Sequence, residues 1–130
     1  ISYDRMLAYR SNLRVALEPL LKNPGYELSL FATYVETRDS KYIDLLKTAS
    51  KNYREAVSNA AKVVVPRDAV SAHVGILNAL SEFGATVETM ANHGDDAFAS
   101  AALLQTYTKN EARLFASFES LASYYRNKKS

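Results

Sequence analysis

The chain has no cysteine and no tryptophan, and only four glycines and three prolines in 130 residues. Without cysteine there is no disulfide framework, no thiolate zinc site, no iron–sulfur cluster and no thiol nucleophile. Nowhere does an apolar run approach the ~18 residues a membrane-spanning helix needs, so none is expected within this segment. Charge of one sign is also missing: 16 basic and 14 acidic residues leave a net +2. That balance lacks the basic excess of a dedicated nucleic-acid binder, and no nucleic-acid partner is expected. Ile1 leads directly into a polar, helix-like segment, which is not the pattern of a signal peptide. A start at Ile1 rather than Met reads as an excised piece of a longer protein, with any anchor or export signal expected outside it.

What is present is an ordinary folded composition, 48% apolar and 23% charged. The length fits one domain over residues 1–130, able to bury roughly 65–70% of its unfolded surface without a metal or disulfide staple. Apolar periodicity is helical almost throughout. From Ser2 to about Lys22, Met6, Leu13, Leu17 and Leu20 form one stripe, which Asn23-Pro24-Gly25 ends. A short helix over about Tyr26 to Thr37 is expected to bury Leu28, Phe31, Ala32 and Val35. Asp39 or Ser40 caps the next, which runs to about Val64 with Leu46, Ala49, Tyr53, Ala56 and Ala60 inward.

Pro66 suits the opening turn of a fourth helix, where its missing N–H costs nothing. That helix runs to about Asn92, carrying Val70, Leu77, Leu80, Phe83, Val87 and Met90 on its apolar face. His93-Gly94 reads as its stop, with Gly94 expected in the left-handed conformation. Asp95 and Asp96 then favour the start of a last helix to about Asn127. The expected fold is therefore all-α, an antiparallel up-and-down bundle of four long helices, with the short second helix as a cap or bridge.

Charge is unevenly distributed along this frame. Residues 69–108 contain no Lys or Arg, only Glu82, Glu88, Asp95 and Asp96, while the flanking segments are each net positive. The same central stretch is rich in Gly and Ala, which predicts close helix packing in the hairpin of the fourth and fifth helices.

Sites for chemistry are sparse. His73 and His93 are too far apart for a paired helical metal site, and His93 suits a helix C-terminus. Asp95-Asp96 is followed by Ala97, Phe98, Ala99 and Ser100, so a calcium loop fails after its first step. There is no phosphate-binding Gly-rich loop and no nucleophile elbow. No catalytic residue, cofactor or metal is expected, and the chain reads as non-enzymatic. His73 borders the apolar face, most simply as a hydrogen-bonded core-edge histidine. Its functional alternative is a polar pocket with Asn78 and Glu82 in a small-molecule-sensing bundle.

Nine tyrosines are a high count. Tyr42, Tyr53, Tyr107 and Tyr125 fall on buried stripes, whereas Tyr3, Tyr9, Tyr26 and Tyr34 fall off the best ones. With Arg10 nearby, Tyr3, Tyr9, Tyr26 and Tyr34 make a candidate partner surface, since tyrosine and arginine are enriched where proteins bind one another. Val64-Val65-Pro66, His73, Asn78, Asp95-Asp96 and Tyr124-Tyr125 together resemble the helical domain of uncharacterised, predicted membrane-anchored or secreted bacterial envelope proteins, over roughly residues 40–126. The resemblance implies an extracytoplasmic location in the cell envelope, with membrane attachment only through a segment outside this chain. The expected function is an interaction or structural module that binds another protein.

Overall fold

A computed structural model describes residues 2–129. Five α-helices account for most of the chain: α1 (Ser2–Ala16), α2 (Glu27–Thr37), α3 (Ser40–Ala60), α4 (Val70–His93) and α5 (Ala97–Lys129). Short 3₁₀ segments at Glu18–Lys22 and Arg67–Ala69 lead into the rest, and no strand occurs among the described residues. The fold is an all-α helical bundle.

Local chemistry sets the boundaries. The first α-helix stops at Ala16, short of the expected Lys22, because Pro19 has no N–H to donate and its ring crowds the carbonyl four residues earlier. The chain tightens instead into a 3₁₀ turn with Pro19 buried. Asp39 caps α3, its carboxylate accepting from the Lys41 N–H at 3.0 Å. At the other end α3 stops at Ala60 rather than Val64. Three β-branched residues and the restriction that Pro66 places on Val65 disfavour helix there. Pro66 does not open α4 directly but precedes the 3₁₀ turn that delivers the chain to Val70. Asp96 caps α5, accepting from the N–H groups of Phe98 and Ala99 at 3.0 and 3.1 Å.

Gly94 contradicts the expectation of a left-handed cap. Its φ is −63°, and the left-handed residue is Arg38, at φ 59°, ending α2. Gly94 is needed for space: a Cβ there would lie 3.0 Å from the Tyr34 ring.

Packing is antiparallel and in register. Along α3 and α4, Ser50 donates to the Gly84 carbonyl and the His73 ring reaches the Ala60 carbonyl. Between α4 and α5, Asn110 donates to Thr86 at 2.8 Å, and Arg113 pairs with Glu82 at 3.0 Å. The short helix is not a cap. Asn59 meets the end of α1 at Ala16, while Asn52 meets Asn23 and Tyr53 meets Glu27. Thus α1, the first 3₁₀ turn and α2 follow one another along α3, together taking the place of the bundle's first helix. The buried face of α2 is Glu27, Phe31 and Tyr34, with Ala32 and Val35 exposed. The expected stripe was rotated because Glu27, a charged residue, points inward to accept from Tyr53 at 2.7 Å.

The core is continuous from α1 to α5, with Leu13, Leu46, Ile76, Leu80, Val87 and Met90 fully buried. An aromatic chain crosses it: Tyr53 meets Phe83 at 5.2 Å between centroids, and Phe83 meets Tyr107 at 5.0 Å. Helices α3 and α4 approach closely where a Cβ on Gly84 would fall 2.8 Å from the Tyr53 Cβ. Small residues serve close packing on both sides of α4, Gly84 against α3 and Gly75 against α5, where Ser117 donates to the Gly75 carbonyl at 3.4 Å.

Candidate functional site

Tertiary packing disperses the two candidate sites read from the sequence. Tyr9 is 1% exposed and Tyr34 is also buried, so neither belongs to a partner surface. Tyr9 donates its hydroxyl to His73 Nδ1 at 2.8 Å and packs on the Tyr124 and Tyr125 rings. Tyr34 donates to Asp95 beside Gly94. His73 and Gly94 are 21 positions apart on α4 and its cap, about 31 Å at 1.5 Å per residue, so the two tyrosines mark opposite ends of the bundle. Tyr3 and Tyr26 are exposed, Tyr26 lying edge-on to Tyr107, and Arg10 stacks over Tyr125 at 5.5 Å. The five residues do not form one surface.

The polar pocket fails for a rotational reason. At ~100° per residue, Asn78 lies about 140° and Glu82 about 180° round α4 from His73. His73 is buried, whereas Asn78 and Glu82 are exposed, and Glu82 is engaged by Arg113. The histidine is structural, as its simpler reading expects. Its Nε2 lies 3.0 Å from the Ala60 carbonyl, which can only accept, so Nε2 carries the proton and Nδ1 accepts from Tyr9. The ring thereby adds a second partner, beside the Val63 N–H, to the Ala60 carbonyl at the end of α3.

Burial dominates the tyrosine electrostatics. It pushes the hydroxyls of Tyr9, Tyr53 and Tyr107 well above the ordinary tyrosine range, with Glu27 beside Tyr53 adding to the effect. Tyr124 is pushed up to about 12, first by burial and then by the hydrogen bond it donates to Asp68. The Lys128 ammonium holds Asp68 below the usual carboxylate range. Among the described residues every buried side-chain nitrogen and oxygen has a hydrogen-bond partner, and no group of three His, Asp or Glu side chains could hold a metal.

The surface between α3 and α4 is concave. One hollow of about 390 Å³ has Tyr53, Val57, Leu80 and Gly84 among its walls, with Arg54 and Glu88 at one end. It exists because Gly84 and Ala85 put no bulk where the helices meet, and Arg54 and Glu88 pair across it at 2.9 Å. Farther along, an open cleft of about 1060 Å³ is lined by Arg5, Val64, Val65, Pro66, Arg67, Asp68 and Val70. Between them on α4 the sequence runs Val70, Val74, Leu77, Ser81, Gly84 and Glu88, of which Leu77 packs on the core and Gly84 is buried. Their alternating spacing of four and three residues keeps them on one line of the helix, the spacing of a coiled-coil seam. Val70 and Val74 are each 46% exposed and Val64 is 84% exposed, so this apolar line is open to water.

Phe98, Phe115 and Leu21 are exposed as well, but line neither concavity, and singly exposed apolar residues are normal. The expectation that Val70 joins the core stripe is corrected: it lies on the outer flank of α4. The signal for this line was present in the 70–88 spacing, hidden because the same helix carries a second apolar line through Ile76, Leu80, Phe83 and Val87.

Charge around the cleft is asymmetric. Every acidic residue of the stretch 69–108 is engaged inside the molecule: Glu82 by Arg113, Glu88 by Arg54, Asp95 by Arg38, and Asp96 by the α5 N-terminus. In contrast, Arg5, Lys62 and Arg67 make no ion pair among the described residues. The cleft beside Val70 is therefore basic and unneutralised. No protein-family profile matches the chain, and neither a curated protein nor a solved structure is similar to it.

Proposed function

We propose that this chain is a non-enzymatic interaction module of a bacterial envelope protein, a helical bundle that binds another protein through the cleft between α3 and α4. The observation that carries the reading is the open cleft lined by Val64, Val65, Pro66 and Val70, with Val64 and Val70 exposed and Val74 exposed one turn farther along α4. Burying them against a partner gains about 25 cal/mol for each Å² removed from water. The envelope location comes from the sequence resemblance.

A photo-crosslinking amino acid at position 74, compared with one at position 98, tests this in the source cells. Both sites are exposed, and only the first lies one helical turn from Val70, which lines the cleft. The expected result is one recurrent protein adduct at position 74 that Val70→Asp abolishes, with circular dichroism unchanged. Adducts of equal pattern at both positions would refute a partner cleft.

A further inference from the structure

We infer that the outer face of α5 pairs two copies of this chain, antiparallel, about a two-fold axis level with Thr106 and Tyr107. None of its residues lines the cleft beside Val70. Helix α5 turns Tyr107, Asn110, Leu114 and Leu121 into the bundle. On its opposite side run Phe98, Ala101, Gln105, Thr108, Ala112 and Phe115, all exposed. They follow one another at alternating steps of three and four residues, within about 100° of arc. The two rings that end the line are 91% and 65% exposed. One exposed phenylalanine is ordinary, but a solvent-facing helix line ~26 Å long normally carries charge, and this one carries none.

The line reads the same in both directions. From either end it runs phenylalanine, alanine and a hydrogen-bonding side chain. A two-fold interface needs that property, because a position that meets a second must be met by it in return, whereas an unrelated partner asks for no such symmetry. With Phe98 level with Phe115 of the second copy, Ala101 comes level with Ala112 and Gln105 with Thr108. The alanines let the helix axes approach to about 8 Å, and the phenylalanines close each end as aromatic pairs. At the centre Thr108 donates to its own Leu104 carbonyl at 3.0 Å, which leaves its oxygen to accept. The Gln105 amide makes no hydrogen bond within the described chain and is the donor that oxygen would receive.

Charge and area both suit a second copy. The charged residues between the phenylalanines are Lys109, Glu111 and Arg113, which come level with Leu104, Ala102 and Ser100 of the other chain, so no like charges meet. At ~150–250 Å² for each buried aromatic side chain and roughly three-quarters exposure, the four rings of a dimer would take about 450–750 Å² from water. That is near half of the ~1,200 Å² at which stable interfaces begin, and Leu104 and the rest of the line supply more. The dimer is therefore small and reversible. A lipid surface fits less well, since the line puts an amide and a hydroxyl at its centre, where an interfacial helix is apolar.

Sedimentation velocity of the purified chain over a concentration series tests the pairing. The expected result is a monomer–dimer equilibrium with a Kd of about 10–100 μM, raised more than about tenfold by Phe115→Glu and unmoved by Val70→Asp. Circular dichroism should be unchanged in both variants. Because the chain has no cysteine, single variants Ala101→Cys and Ala112→Cys report the register when mixed and oxidised. They should join to each other, since each lies about 16 Å along the axis from its own equivalent. A photo-crosslinker at position 98 should join the chain to itself.

A monomer at every concentration up to millimolar would overturn the pairing, as would a dimer that Phe115→Glu leaves intact. Disulfides formed within each cysteine variant as readily as between the two would overturn the antiparallel register. Capture of a monomer by phosphatidylglycerol vesicles, lost in Phe115→Glu, would overturn the second copy in favour of a lipid surface. The cleft is decided separately, by the crosslink at position 74.

Discussion

Replacing Tyr9 by Phe removes one oxygen atom and tests the buried polar centre directly. Tyr9 is the donor to His73 Nδ1, and the other ring nitrogen is committed to the Ala60 carbonyl. The variant keeps the aromatic ring and its contacts with Tyr124 and Tyr125, so little packing is lost. What remains is a buried nitrogen acceptor without a donor, in a site closed to water. Leaving such a group unsatisfied costs about 1–3 kcal/mol, more than the ~1 kcal/mol net value of an average hydrogen bond. With a urea slope of about 2 kcal/mol/M, the midpoint should fall by about 0.5–1.5 M, and Tm by several degrees. Equilibrium unfolding followed by circular dichroism measures this. Tyr3→Phe, at an exposed position, is the internal control and should change stability by less than about 0.5 kcal/mol. In a double-mutant cycle with His73→Leu, the coupling should exceed about 0.5 kcal/mol. If Tyr9→Phe matches Tyr3→Phe, the hydroxyl is not the partner that fixes His73, and the account of this end of the core is wrong.

Gly84→Ala should destabilise by about 1–2 kcal/mol, because α3 and α4 must part around a Cβ 2.8 Å from the Tyr53 Cβ, and overpacking outweighs the ~1 kcal/mol helix-propensity gain. Gly75→Ala should do the opposite and stabilise by about 0.5–1 kcal/mol, since its nearest neighbour would be Ser117 Oγ at 4.0 Å; urea midpoints of the two variants give the signs. Alkaline stability should fall as pH rises. Tyr9, Tyr53, Tyr107 and Tyr124 have folded-state values raised above the ordinary ~10, so the stability linked to their protonation is complete below about pH 10 and is lost as pH climbs through the folded values. Ultraviolet titration should show Tyr124 ionising at about 12 or with unfolding, whichever comes first, and complete tyrosine ionisation near pH 10 with the fold intact would contradict the burial. Asp96→Ala should cost about 1 kcal/mol by removing the α5 cap, with hydrogen exchange quickening first at Phe98 and Ala99.

The sequence by itself determined the all-α class, the number and order of the helices, the capping aspartates at 39 and 96, and the inward line of α3 from Leu46 to Ala60. Those features depend on local periodicity and on side chains that reach backbone groups two or three residues away. The shortened first helix was also legible, since Pro19 is sufficient reason for the break after Ala16. The mutual rotation needed to reject His73, Asn78 and Glu82 as one pocket could likewise be read from residue numbers, at about 180° between the first and last.

What only the tertiary structure decided concerns side chains that satisfy a distant partner. Tyr9 and Tyr34 lie off the best apolar stripes yet are buried, because His73 and Asp95, more than 60 residues along the chain, accept their hydroxyls. Glu27 turns α2 inward for a hydrogen bond from Tyr53. A polar atom at an inner position reads as exposed in any local pattern, since the group that makes its burial tolerable is not in the window. The cleft shows the converse. Val70 reads as core because it is apolar at helical spacing, and it is open because packing covers the neighbouring line of α4 through Ile76, Leu80, Phe83 and Val87. Periodicity shows that a helix has an apolar line; packing decides which line is covered and which stays open to water.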